Sequence, residues 1–159
     1  MQWLYDRLGL QASASRDARI DQWVRVTHPN ALRSPNGPEV DARLDDPGQA
    51  LVYVEAKWLA ALGSGKGADD GAWDDQIVLR RGSLRQDPAL AGDHKRLYVV
   101  LGISNDSPDL VAYDEANEHE PRRVEVRWLR WQDLAECSAH PHHEEFARYL
   151  QWKRDNSNF

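Results

Sequence analysis

Two neighbouring segments of the chain alternate between hydrophobic and polar residues. They span residues 39–44 and 51–58, are rich in Val, Leu, Tyr and Trp, and are separated by Pro47 and Gly48. Alternation with a period of two indicates half-buried strands, and a Pro-Gly pair between two such runs indicates a turn. The pattern therefore predicts a β-hairpin, and the rest of the predicted fold is arranged around it.

Other segments complete the set of predicted elements. Apolar residues at helical spacing predict helices over residues 2–9, 16–26, 73–85, 131–136 and 144–154. A continuous apolar run over residues 96–104 predicts a strand that is buried on both faces, as in parallel sheets. The cleanly alternating residues 124–128 predict a half-exposed strand near a sheet edge.

A helix that leads into a buried strand supports a crossover connection between parallel strands. We therefore expect an α/β (α+β) fold with a central mixed β-sheet flanked by helices. The length of 159 residues suits one domain over residues 1–159, and the sequence contains no repeat or linker that would divide it.

Composition limits the classes of protein that the chain can represent. Its residues are 41% hydrophobic and 29% charged, which is typical of a globular and not a disordered protein. The net charge of −6 argues against nonspecific coating of nucleic acid, since that affinity comes mainly from Lys and Arg. The single cysteine, Cys137, excludes an internal disulfide and fits a reducing compartment. Without an apolar span or a signal pattern, we expect a cytoplasmic protein that does not enter the membrane.

Charged residues are concentrated on one face of each predicted hairpin strand. Because alternate residues share a face, Glu39, Asp41 and Arg43 should lie together on the first strand, and Tyr53, Glu55 and Lys57 on the second. Buried charges are costly unless they are paired or bind a metal. Two converging carboxylates beside an ammonium group would suit a hard, oxygen-seeking cation such as Mg²⁺.

The register of the hairpin decides whether these groups converge. A loop longer than two residues places Asp41 opposite Glu55 and Glu39 opposite Lys57, whereas a tight two-residue turn would put Asp41 and Glu55 on opposite faces. We expect the longer loop. The alternative interpretation of the charges is a solvated face of an antiparallel sheet with ordinary cross-strand ion pairs.

The segment Val52-Tyr53-Val54-Glu55-Ala56-Lys57-Trp58, preceded by an acidic strand, resembles the signature of the PD-(D/E)xK nuclease superfamily. The first motif of this restriction-endonuclease-like fold departs from the common form, because Pro38 is followed by Glu39 and not by Asp. Either acid could be the motif residue, and the spacing to Glu55 favours Asp41.

The resemblance implies a Mg²⁺-dependent nuclease that hydrolyses DNA, with Mn²⁺ as a substitute metal. Carried over by position, Asp41 and Glu55 would bind the metal with Glu39 as an additional acid, and Lys57 would be the catalytic lysine. Gln76, on the helix after the Glu-x-Lys strand, resembles a polar residue that such helices present to the site. Arg80 and Arg81 are expected to hold the nucleic-acid backbone.

Two other classes of function stay open at the level of sequence. The acidic net charge also suits an inactive or accessory nuclease-fold subunit that serves a partner protein, and seven tryptophans also suit a protein-interaction domain. Double-strand cleavage by one active site would need a homodimer or two successive nicks.

Three further groups of residues have weaker interpretations. The segment Gly63-Ser64-Gly65-Lys66-Gly67 lacks the Ser or Thr of a phosphate loop, which favours an ordinary loop. His140, His142 and His143 could bind zinc, but they have no clear fourth ligand. Cys137 ends an apolar segment and is expected to be a small core residue.

Overall fold

The computed structural model describes residues 2–10, 16–29, 37–58, 75–90, 97–111, 113, 123–136 and 141–156. Its strands are β1 (Arg19–Arg25), β2 (Glu39–Asp46), β3 (Ala50–Ala56), β4 (Leu97–Ser104) and β5 (Glu125–Arg130). Its helices are α1 (Gln2–Arg7), α2 (Gln76–Leu84), α3 (Trp131–Ala135) and α4 (His143–Asn156), with a short 3-10 helix at Pro88–Leu90. Among the described helices, none combines the length and apolarity needed to cross a membrane.

The five strands form one mixed sheet in the order β1-β2-β3-β4-β5. The first three form an antiparallel meander, and β4 and β5 run parallel to β3. Parallel neighbours need a crossover connection, and α2 lies in the connection between β3 and β4. The predicted mixed sheet with a helical crossover into a buried strand is confirmed.

The β2–β3 hairpin has the predicted longer loop. Asp46 lies opposite Ala50, and the Gln49 N–H donates to the Asp46 carbonyl oxygen at 3.0 Å. Gly48 has a φ of 78°, a conformation that a type II turn requires at its third position and that glycine adopts without strain. Pro47 supplies the fixed φ of the second position, so this Pro-Gly pair sets the register of the hairpin.

Strand β1 replaces the helix predicted over residues 16–26, and that prediction was wrong. Ile20, Trp23 and Val24 have helical spacing, but β-branched and aromatic residues are also favourable in strands. Antiparallel pairing with β2 decides between the two, with Ile20 opposite Leu44 and Val24 opposite Val40. Asp17 and Asp21, considered as acids on that helix, are instead exposed residues before and within an edge strand.

Helices cover both faces of the sheet and give three layers. On one face, Ile77 and Leu84 of α2 pack with Leu51, Tyr53 and Val100. On the other face, residues from α1 and α3 join the second core cluster, among them Tyr5, Leu8 and Leu134. Helix α4 packs mainly against α3, where Phe146 and Trp131 have ring centroids 6.4 Å apart.

Gly102 of β4 lies opposite Trp128 of β5 and is covered by its indole ring. A Cβ atom at position 102 would lie 2.1 Å from Trp128 Cζ3, which is far inside van der Waals contact. We expect Gly102→Ala to lower the free energy of unfolding by about 1–3 kcal/mol, measured by urea denaturation. A double-mutant cycle with Trp128→Leu should show favourable coupling, and an unchanged stability of Gly102→Ala alone would contradict this packing.

Candidate active site

Glu55 near the end of β3 is a buried carboxylate held between two cations. Its side chain is 2% exposed; Lys57 Nζ lies 2.8 Å from Glu55 Oε1, and Arg80 Nε lies 3.0 Å from Glu55 Oε2. Glu55 and Lys57 are two residues apart, so the pleat of the strand turns both to the face that α2 covers. Alternation along the sequence predicts this placement, and the structure shows it.

The two cations differ in their access to solvent. The Arg80 side chain is 9% exposed, whereas the Lys57 side chain is 25% exposed. Lys57 is thus the cation of this pair that reaches the surface. The ammonium group of Lys57 is therefore the member of this cluster that an anionic ligand can approach.

Asp41 of β2 brings a second carboxylate to the same segment. The β2–β3 ladder ends at the pair Ala42–Val54, and beyond it Asp41 Oδ2 accepts a hydrogen bond from the Ala56 N–H at 2.6 Å. Ala56 stands between Glu55 and Lys57 in the chain. The side chain of Asp41 thus reaches the Glu-x-Lys segment at the point where the hairpin strands stop pairing.

Glu39 is the first residue of β2 and is exposed. In the ladder it lies opposite Arg25 of β1, while the Lys57 N–H donates to the Ile103 carbonyl oxygen of β4 at 2.7 Å. The predicted pairing of Glu39 with Lys57 is not formed, because Lys57 lies beyond the end of the β2–β3 ladder. Glu39 is two residues before Asp41 and lies on the same face of β2.

Gln76 is the first residue of α2 and lies one turn before Arg80. The helix begins there because Asp75 caps it: Asp75 Oδ1 accepts hydrogen bonds from the Ile77 and Val78 N–H groups at 2.6 and 3.2 Å. Gln76 Oε1 is buried and has no hydrogen-bond partner among the described residues. Such an atom is rare in folded proteins, and an unoccupied acceptor suits a cation or an ordered water.

Carboxylate oxygens are the donor type that Mg²⁺ prefers, whereas zinc is bound mainly by Cys and His side chains. Within the described part of the chain, no group of three or more His, Cys, Asp or Glu side chains is placed to hold a metal ion. Mg²⁺ is commonly bound through one or two carboxylates, with waters and substrate phosphates as its other ligands. Asp41 and Glu55 supply that number, and each oxygen of Glu55 keeps a second lone pair beside its cationic partner.

Arg80 and Arg81 do not lie on the surface, so the expectation that they hold a nucleic-acid backbone is not met. Counted over the whole residue, Arg80 is 7% exposed and Arg81 is 4% exposed. Arg81 Nη1 donates to the Tyr113 carbonyl oxygen at 2.6 Å. Arg80 instead compensates the charge of Glu55. A helical arginine one turn after Gln76, in the helix that follows the Glu-x-Lys strand, is the sequence signal that could have identified this ion pair.

A second hydrogen-bond network, which the sequence did not reveal, lies on the same sheet face, closer to the turn of the β2–β3 hairpin. Asp87 receives two hydrogen bonds from Arg43, at 3.0 and 3.2 Å, and one from the Tyr53 hydroxyl at 2.6 Å. Burial alone raises the pKa of Asp87, but the hydrogen bonds from Arg43, Tyr53 and the Ala89 N–H outweigh it and hold this pKa below the ordinary value. The network lines a cavity of about 380 Å³.

The structure does not describe every residue that was considered from the sequence. Lys66 with its glycine-rich segment, Cys137 and His140 lie outside the described residues. His142 is exposed at the surface, and its Nδ1 lies 3.2 Å from Glu145 Oε2. The histidine segment is therefore described in part only, with His142 exposed and His143 half-buried at the start of α4.

Comparisons with protein-family models, with curated proteins and with solved structures found no match to this chain. The class of protein that the structure defines is a mixed α/β domain with a five-stranded open sheet and helices on both faces. Any statement about activity depends on the chemistry of the cluster around Glu55.

Proposed function

We propose that this chain is a Mg²⁺-dependent nuclease of the PD-(D/E)xK type that hydrolyses phosphodiester bonds in DNA. The observation that carries the proposal is the meeting of Asp41 with the segment that contains Glu55 and Lys57. Two carboxylates and one partly exposed ammonium group on adjacent strands form the minimal set for metal-assisted attack on a phosphodiester.

Each residue has a distinct role in this proposal. Asp41 and Glu55 would hold Mg²⁺, which supplies an activated water and neutralises phosphate charge when it is bound. Lys57, through its exposed ammonium group, would stabilise the negative charge that develops on the phosphate oxygens. Arg80 holds the carboxylate of Glu55 in place at 3.0 Å, and Gln76, one turn before Arg80 on α2, carries a buried amide oxygen.

The fold supports the same assignment. The restriction-endonuclease-like architecture needs a mixed sheet covered by helices, with a helix between the Glu-x-Lys strand and the next parallel strand. The sheet order, the parallel β3–β4 pair and the crossover through α2 agree with it. Many α/β domains share these features, so the cluster around Glu55 and not the fold carries the argument.

One observation favours an inactive or accessory subunit as the second candidate. Both oxygens of Glu55 already contact cations, which is also how a purely structural buried ion cluster satisfies its charges. In that case the domain would keep the fold and the stability of the cluster without binding a metal.

The first experiment is cleavage of supercoiled plasmid by purified protein with Mg²⁺, Mn²⁺ or EDTA. We expect conversion to the nicked form with either metal and none with EDTA, because the proposed chemistry depends on a bound divalent cation. RNA incubated in parallel tests the choice of substrate. Absence of cleavage of either polymer with both metals would reject the free-standing nuclease and leave the accessory subunit.

A further inference from the structure

Strand β1 forms an edge of the sheet and is exposed on both of its faces. It is the first strand in the sheet order, and no described strand pairs with its outer side. Six of its seven residues are exposed, among them Ile20 at 49% and Trp23 at 66%. The open edge therefore offers backbone N–H and C=O groups, together with apolar side chains, to a further strand.

The regular part of this edge lies before Trp23. This residue has a φ of 55°, the one positive value among the described residues other than glycine. A bulky residue in that conformation interrupts an extended backbone, and the Cα pairs between β1 and β2 omit Trp23. The longer uninterrupted stretch that a further strand can pair with is therefore residues 18–22, with Ile20 at its centre.

Charged residues of opposite sign lie on either side of Ile20 in this stretch. Arg19 and Asp21 share one face of β1, and Ile20 lies on the other face. On the inner side of the strand, Arg19 lies opposite Asp45 of β2. Asp21 lies opposite Arg43, so each of the two charges has an oppositely charged neighbour there. The outer side of β1 presents the same order to a partner: one cation, one apolar residue and one anion.

We propose that β1 pairs antiparallel with β1 of a second copy of this chain, about a two-fold axis at Ile20. In this pairing Arg19 of each copy lies opposite Asp21 of the other, which gives two cross-strand ion pairs on one face. Because Asp45 and Arg43 continue each row on β2, the charges alternate in sign across four strands. On the opposite face, the two Ile20 side chains meet and cover each other.

Charge and backbone conformation select this register among the neighbouring symmetric ones. An axis at Asp21 places two carboxylates opposite each other, and an axis at Gln22 places Arg19 opposite Arg25. Like charges in directly opposite positions destabilise a sheet. An axis at Trp23 pairs Asp21 with Arg25, but it puts the interrupted backbone in the middle of the interface. The proposed register combines opposite charges with a regular backbone.

The dimer joins the five strands of each copy into one continuous sheet. Because the two-fold axis is normal to the sheet, the faces that carry Glu55 in the two copies point to the same side. The paired stretch is short compared with a standard interface of about 800 Å² per partner, so we expect reversible association in the micromolar to millimolar range. This association does not depend on the proposed nuclease function.

Sedimentation equilibrium of the purified chain without nucleic acid tests the dimer. We expect the average mass of the wild type to rise from one chain towards two as the concentration increases through this range. Ile20→Lys should stay monomeric, because it brings two ammonium groups together at the axis. Val111→Lys is the matched control, since Val111 is a 60% exposed aliphatic residue outside β1, and it should associate like the wild type. Asp21→Ala should weaken association by about 2- to 30-fold through the loss of two cross-strand pairs.

A cysteine at the axis tests the register. Directly opposite Cα atoms of antiparallel strands are about 4.5–5.5 Å apart, which lies within the range that a disulfide spans. With Cys137 replaced by serine, Ile20→Cys should therefore form a covalent dimer under mild oxidation, seen on a non-reducing gel. Trp23→Cys is also at an exposed position of β1, but it lies opposite residue 17 of the other copy and should cross-link far less. Equal cross-linking at both positions, a wild type that stays monomeric, or an Ile20→Lys variant that associates like the wild type would overturn the proposal.

Discussion

Replacing Lys57 with alanine is expected to lower the rate of metal-dependent DNA cleavage by about 10²- to 10³-fold. The ammonium group is the exposed cation of the Glu55 cluster, and an interaction with the developing phosphate charge is worth most in the transition state. Because Arg80 remains paired with the buried carboxylate of Glu55 in this variant, the melting temperature should fall by only a few degrees. Plasmid nicking rates and thermal unfolding of the same samples separate the two effects.

Glu55→Gln should lower the cleavage rate to the same extent, because an amide of the same shape replaces a carboxylate that would bind the metal. Arg123→Ala is the control: it deletes one exposed positive charge ahead of β5, near the Glu125–Val99 pair and so at the opposite end of the parallel strands from Lys57. It should leave cleavage unchanged. If Lys57→Ala and Glu55→Gln both cut as fast as the wild type, the activity does not come from this cluster.

Replacing Asp87 with alanine is expected to lower the free energy of unfolding by about 3 kcal/mol. The substitution leaves the buried Tyr53 hydroxyl without its acceptor and removes a two-fold hydrogen-bonded partner from Arg43. Asp45→Ala is the matched comparison, since Asp45 contacts the same guanidinium at 3.0 Å but is 22% exposed, and it should cost about 1 kcal/mol or less. Urea denaturation of both variants at neutral pH measures the difference.

The same carboxylate predicts a pH dependence. The pKa of Asp87 lies below its ordinary value of 3.8 in the folded protein, so its contribution to stability is present above that ordinary value. It is lost as the pH falls through the lowered folded-state pKa. We therefore expect Asp87→Asn to show a flatter decrease of stability below about pH 4 than the wild type. Parallel stability curves for the two proteins would mean that Asp87 does not titrate with unfolding.

The predictable parts of this fold are those with strong local signals. The Pro47-Gly48 turn and the alternation on either side of it indicate the hairpin, and the expected longer loop is the one that the structure forms. Since a strand repeats every two residues, the same signals bring Glu55 and Lys57 to one face. The run from Leu97 to Ile103 contains no charged residue and is buried at nearly every position, which is typical of a strand covered on both faces. The sequence predicts a helix over residues 73–85, and in the structure Asp75 caps it so that α2 runs from Gln76 to Leu84.

The misassigned part is an element whose local signals conflict. Ile20, Trp23 and Val24 satisfy a helical period and are also residues that strands favour, so the segment alone does not decide. Its conformation follows from the free edge of β2. Residues 19–25 pair with residues 39–45 of β2 along the whole of β1, except at Trp23. Intrinsic propensity differs by less than the free energy of that pairing, and tertiary structure prevails.

By itself, the sequence predicted the hairpin that carries Asp41, Glu55 and Lys57 on one face, and a helix over residues 73–85 that follows it. Only the tertiary structure decided which charges meet. The contact of Arg80 with Glu55 joins a helix to a strand across 25 residues of sequence, and that of Arg43 with Asp87 spans 44 residues. The physical reason is that a period within one element fixes the direction of a side chain, whereas its partner depends on how the layers pack.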